Sequence, residues 1–237
     1  PKFDLKTGKL AGAEALVRWI PEDGNVIYPG QFIPIFEKNG FCAALDMYMT
    51  EQVCRQLRQW MDEEVPVIPV SVNQSKILFY EADYVERMER LIQKYQVPAG
   101  WITLEILEGL AMENIDKLNQ VIRRLKKIGF RVSMDDFGSG YSSLNILGNL
   151  RINELKLDKG FLKELEEDGR QRQKVIIKHI IVISKSLKIS TVAEGIETEE
   201  DQRMVRELGG DFGQGYYYCR PVPVEEFNEK YMKRREA

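Results

Sequence analysis

Residues Phe130–Leu144 read FRVSMDDFGSGYSSL. A run of strand-forming residues stops at two adjacent carboxylates, Asp135 and Asp136, and passes into a turn rich in glycine and hydroxyls. Neighbouring carboxylates repel, so a pair at a strand end calls for positive charge nearby. The run follows Ile115–Gly129, where apolar residues recur at helical spacing and the segment closes on glycine.

That order, helix then strand then polar strand end, recurs along the chain. Val65–Asn73, Trp101–Ile106, Ile152–Asp158 and Ile189–Gly195 are predicted strands. Val65–Asn73 reads as a continuous run, buried on both faces. Leu45–Glu63, Ala82–Gln96, most of Phe161–Leu187 and Glu199–Gly209 are predicted helices, with a short one around Ser143–Leu147. Leu10–Trp19 reads as extended, and Phe212–Tyr218 begins a last short strand. Repeated strand–helix order implies a parallel sheet. The 237 residues suit an α/β, (β/α)8 TIM-like barrel. A doubly wound open sheet is the alternative; no G-x-G-x-x-G turn follows the first strand to favour its nucleotide-binding form. The opening hairpin, Phe3–Arg18, points to one antiparallel strand.

Composition narrows the function classes. The formal net charge is −3, with 34 basic and 37 acidic residues interspersed. That argues against a DNA or RNA polymer held on a broad basic face. The most apolar run, Val175–Ser184, is too short for a membrane helix and carries Lys178 and His179. No membrane contact by this domain is expected. Cys42, Cys54 and Cys219 are widely spaced and odd in number, which suits buried thiols in a reducing, cytoplasmic setting. The start at Pro1 suggests one domain, residues 1–237, cut from a longer protein that could itself be membrane-anchored.

The strand ends carry the chemistry. Glu14, Asn73, Glu105, Asp135, Asp136, Lys156, Glu194 and Gln214 all fall at or near them. In a barrel these ends meet at one face, where active sites lie. A lone strand-end Asp is usually a helix cap, but Glu and Lys cap poorly. The set is rich in oxygen, and His179, the only histidine, falls mid-helix. Oxygen ligands suit hard cations, Mg²⁺ or Mn²⁺. Adjacent aspartates could serve two metals, an arrangement that cleaves phosphoesters. Lys156 would add a fixed positive charge. An unrelated Mg²⁺ enzyme with Lys156 as a base on an enolate is a further possibility.

The same residues carry a likeness. EALVR (Glu14–Arg18), SVNQS around Asn73, TLEILE with Glu105 and Glu108, DDFGSGYSSL from Asp135, LKLDKGF with Lys156, VAEGIET with Glu194 and GQGYYYCRPVP with Gln214 stand in order over nearly the whole chain. The sequence resembles the EAL domain, the bacterial phosphodiesterase of cyclic di-GMP. The resemblance implies a (β/α)8-type barrel and hydrolysis of cyclic di-GMP to linear pGpG with two Mg²⁺ or Mn²⁺ ions. It implies Glu14, Asn73, Glu105, Asp135 and Asp136 as metal ligands. Lys156 would hold the attacking water, and Glu194 would be a further acid or general base. Leu16, Arg18 and Gln214 would contact substrate. Glu108 would anchor the loop after Asp136, which the family uses for dimerisation and coupling. A homodimer and neighbouring sensory or cyclase domains follow by the same likeness. Ile20, Leu107 and Asn153 depart from the family pattern without removing a ligand. A catalytically inactive EAL domain, serving as a cyclic di-GMP receptor or protein-interaction module, is the alternative.

Overall fold

The computed structural model describes residues 1–22, 24–138, 144–162 and 167–232. Eight strands close into a barrel in chain order: β1 (Lys2–Asp4), β2 (Leu10–Ala15), β3 (Val70–Asn73), β4 (Ile102–Leu107), β5 (Arg131–Phe137), β6 (Glu154–Leu157), β7 (Ser190–Ala193) and β8 (Phe212–Gly213). β1 pairs antiparallel with both β2 and β8, and every other pairing is parallel. The expected (β/α)8 barrel with one antiparallel strand is the fold found. The β1–β2 turn follows from Asp4, whose Oδ1 accepts from the Lys6 and Thr7 N–H groups (3.0 and 2.7 Å) and the Thr7 hydroxyl (2.9 Å).

Several boundaries differ from the sequence reading, for local reasons. β3 starts at Val70, not Val65, because Pro66 and Pro69 cannot donate to a ladder. Its residues also alternate. Val70 and Val72 pack in the outer core, whereas Ser71 and Asn73 bond inward, so the strand is not apolar on both faces. β2 stops at Ala15, and Trp19 bridges back to Ile27. β8 is two residues long. The helix Pro29–Asn39, which contains Pro34, was not foreseen. The short helix after β5 is Leu144–Asn149; Ser143 lies outside the described residues. The helix after β6 is Glu167–Ser186, preceded by a 3-10 turn at Lys159–Leu162.

The same alternation repeats around the barrel. Ile102, Leu104 and Ile106 of β4, Val132 and Met134 of β5, and Leu155 and Leu157 of β6 are buried in one core with Leu57, Met88, Ile122, Leu125, Ile177 and Ile181 of the surrounding helices. The interleaved residues fill the barrel with polar groups. Deep inside, Lys2 Nζ reaches Glu154 Oε1 (2.6 Å) and Ser71 Oγ (3.4 Å), with Lys2 and Glu154 both buried. Among the described residues no helix is long and apolar enough to cross a membrane.

Candidate metal centre at the mouth of the barrel

The C-terminal strand ends converge on Lys156. Its ammonium lies 2.9 Å from Glu105 Oε2, 2.9 Å from Glu194 Oε1, 3.0 Å from Asp135 Oδ1 and 3.3 Å from Glu14 Oε2. These partners come from β4, the end of β7, β5 and β2, so residues up to 180 positions apart in sequence share one cation. Gln214, just past β8, closes the ring, its Nε2 donating to Glu14 Oε2 (2.7 Å) and Glu194 Oε1 (3.0 Å). Asn73 Nδ2 donates to Glu14 Oε1 (3.3 Å). Depth varies across the set. Glu105 and Lys156 are each 1% exposed at the floor, and Asn73 stands exposed at the rim.

How can Asp135 and Asp136 both face inward, when neighbours in a strand point to opposite faces? β5 answers with a bulge. Met134 pairs with Leu155, and the next match is Phe137 with Leu157, so β5 spends one residue more than β6. Asp136 absorbs the turn at φ 55°, a region aspartate tolerates better than most residues. The Asp136 N–H donates to Asp135 Oδ1 (2.9 Å). As a result, ligand atoms of Asp135, Asp136 and Glu194 lie within 4.8 Å of one another, as do those of Glu14, Glu105 and Asp135. Asp135 belongs to both groups.

The electrostatics show too little positive charge. Burial, then the Glu14 charge, holds the Glu105 carboxyl well above the usual carboxylate range. Burial likewise pushes Glu194 up to about 7, with Lys156 opposing and Asp135 and Glu14 assisting. Burial and the charges of Asp135 and Asp158 raise Asp136. Burial works to raise Glu14 as well, but Lys156 and Gln214 outweigh it and hold that carboxyl low. Burial disfavours the Lys156 charge, yet the surrounding carboxylates, Glu105 foremost, lift it well above the ordinary lysine range. Glu105 Oε1 and Gln214 Oε1 are buried with no hydrogen-bond partner among the described residues. Five carboxylates around one ammonium, with an orphaned carboxylate oxygen at the floor, fit a bound cation.

The remaining candidates lie around this centre. Leu16 is exposed beyond β2. Arg18 is half-buried, donates to the Val17 carbonyl (2.7 Å) and sits 5.4 Å from the Tyr28 ring centre. Glu108 is buried at the start of the helix Glu108–Glu113, and its Oε2 accepts from the Gly138 N–H (3.4 Å). Glu108 thus grips the chain just after the bulge; residues 139–143 of the expected coupling loop lie outside the described residues. Gly138 has φ 101°, and a Cβ there would meet the Phe161 ring at 2.0 Å. Gly138→Ala is therefore expected to lower stability by about 2 kcal/mol in a denaturant melt, from left-handed strain and displacement of the ring.

Residues 1–221 match the family model of the EAL domain. The chain belongs to the EAL domain family. Over 229 residues this EAL domain is 33% identical to the signaling protein YkoW of Bacillus subtilis, an alignment covering 97% of the chain and 28% of YkoW. It is 34% identical over 226 residues to the bifunctional diguanylate cyclase/cyclic di-GMP phosphodiesterase MucR of Pseudomonas aeruginosa, covering 95% of the chain and 33% of MucR. The chain thus spans about a third of these relatives' length. Among solved structures, the MucR phosphodiesterase in complex with c-di-GMP superposes with a TM-score of 0.88 at 34% identity, over 96% of this chain and 91% of that one.

Proposed function

We propose that this EAL domain hydrolyses cyclic di-GMP to linear pGpG. The observation that carries the reading is the pair of carboxylate groups meeting at Asp135, gathered from four strand ends around Lys156. The names of the relatives support the substrate: MucR is a cyclic di-GMP phosphodiesterase and its structure holds that dinucleotide.

Glu14, Asn73, Glu105, Asp135 and Asp136 would hold two ions, Mg²⁺ or Mn²⁺. Bound there, the ions supply Lewis acidity toward the phosphodiester and acidify water. Lys156, between the two carboxylate groups, orients the attacking water by donating to its oxygen. Glu194, steered by Gln214, accepts a proton from it. The water oxygen joins phosphorus as the bond from phosphorus to the 3′ oxygen breaks, and the departing 3′ oxygen takes up a proton from solvent. Arg18 neutralises a substrate phosphate, Leu16 offers the exposed rim an apolar contact, and Gln214 lines the site. Glu108 holds the segment after Asp136 at the distance that aims both aspartates inward. A homodimer, attached sensory or cyclase domains and a cytoplasmic location belong to the same reading; the cyclase named in MucR supports the second.

The test is direct. The purified domain is incubated with cyclic di-GMP and either Mg²⁺ or Mn²⁺, and products are separated by chromatography. Release of pGpG in metal, abolished by EDTA, is expected. Binding of the dinucleotide with no turnover in either metal would overturn the reading and make the domain a receptor.

A further inference from the structure

Gln74 stands next to Asn73 and is 4% exposed, yet the reaction leaves it without a role. Alternation along β3 sends the Asn73 side chain to the mouth of the barrel and the Gln74 side chain outward, beneath the helices Cys42–Asp62 and Tyr84–Tyr95. There its hydrogen-bonding groups are spent on defined partners. Nε2 donates to the Asn73 carbonyl (2.8 Å) and to Thr50 Oγ1 (3.2 Å), while Oε1 accepts from the Tyr84 hydroxyl (2.8 Å). The Gln74 backbone N–H donates to the Glu105 carbonyl (2.9 Å). Thr50 Oγ1 donates in turn to the Asp46 carbonyl (2.8 Å), and Thr50 and Tyr84 are 0% and 1% exposed.

One residue therefore grips the main chain at two ligand positions. Packing alone does not ask for this: an apolar residue between these helices would bury as well, without the desolvation cost of an amide. We propose that Gln74, clamped by Thr50 and Tyr84, is a positioning residue for the metal centre, fixing the β3 and β4 ends so that Asn73 and Glu105 present oxygens to one cation. Ligand orientation is commonly set by such outer partners, and losing one typically lowers metal affinity about 10–100-fold. The inference rests on the ligand set named above, not on the reaction.

The experiment titrates Mn²⁺ alone into the domain and into Gln74→Leu, Thr50→Val and Tyr84→Phe, by calorimetry and by electron paramagnetic resonance, after a thermal melt in EDTA confirms folding. Gln74→Leu is expected to weaken Mn²⁺ about tenfold or more. Thr50→Val and Tyr84→Phe each remove one hydroxyl and are expected to weaken it about fivefold, one hydrogen bond's worth. In turnover, the Mn²⁺ concentration for half-activation rises while kcat at saturating Mn²⁺ stays near wild type. Folded variants that all bind Mn²⁺ within about twofold of wild type overturn the proposal, as does a fall in kcat with unchanged Mn²⁺ affinity. If Gln74→Leu does not fold, the two hydroxyl variants decide. A wild type that binds Mn²⁺ without releasing pGpG sinks the proposed reaction and leaves this inference standing. A wild type that does not bind Mn²⁺ overturns it together with the ligand set.

Discussion

Asp135→Asn is expected to abolish turnover, by at least ~10³-fold or about 4 kcal/mol of transition-state stabilisation, while leaving the metal-free fold as stable as wild type or more so. The first half follows from position. Asp135 is the one carboxylate that lies in both ligand groups, so its loss removes a shared oxygen from each. The second half follows from charge. Asp135 raises the pKa of Glu105, Glu194 and Asp136 by repulsion, and the amide ends that repulsion. Asparagine keeps an oxygen to accept from Lys156 and from the Asp136 N–H, which now meet Oδ1 at 3.0 and 2.9 Å. Carboxylates that crowd a site for function commonly cost stability there. The checks are pGpG release under saturating Mn²⁺ and a thermal melt in EDTA. Residual activity within about tenfold of wild type would refute the shared-ligand assignment. A clear drop in melting temperature would show that the Asp135–Lys156 pair holds the fold together.

Much of this centre is legible in the sequence because barrel topology does the gathering. Once strands alternate with helices, every C-terminal strand end belongs to one face, and Glu14, Glu105, Lys156 and Gln214 declare themselves by standing where an apolar run stops. The bulge is a different matter. Period-two reading of VSMDD sends Asp135 and Asp136 to opposite faces. Only the register against β6 shows the extra residue that turns both inward. The polar filling of the barrel was overlooked for a related reason. VSVN, ITLEIL and ELKL alternate cleanly, but Ser71, Thr103 and Glu154, deeper than the strand ends, give no sign of a polar interior until Lys2 is seen against Glu154. Gln74 carried no sequence signal beyond its place after Asn73, since its partners Thr50 and Tyr84 lie on two different helices. Pro29–Asn39 escaped because Gly30 and Pro34 break its helical pattern.

The complementary experiment removes the cation. Lys156→Met is expected to cost about 3–5 kcal/mol of stability at neutral pH in EDTA, the usual consequence of leaving buried charge uncompensated. Lys156 is 1% exposed and faces four carboxylates between 2.9 and 3.3 Å, with no solvent to replace it. The pH dependence carries a definite sign. Glu105 and Glu194 already have folded pKa values raised by burial, and Lys156 is the attraction that restrains them. Without it they rise further, so the folded state holds more protons than the unfolded chain. Stability then falls as pH rises from about 4.3, where unfolded glutamate titrates, through the raised folded range of these two carboxyls. The variant should therefore regain stability on acidification from pH 8 to 5, and more strongly than wild type does. Mn²⁺ should restore it at pH 7.5 by returning positive charge to the same carboxylates, and should bind more tightly than to wild type because no ammonium competes. Turnover should nonetheless remain down by about 10²–10³-fold, because the group proposed to orient the water is gone. A Lys156→Met protein that melts like wild type in EDTA would mean that the carboxylates there are neutral and that Lys156 does not hold the centre's charge together.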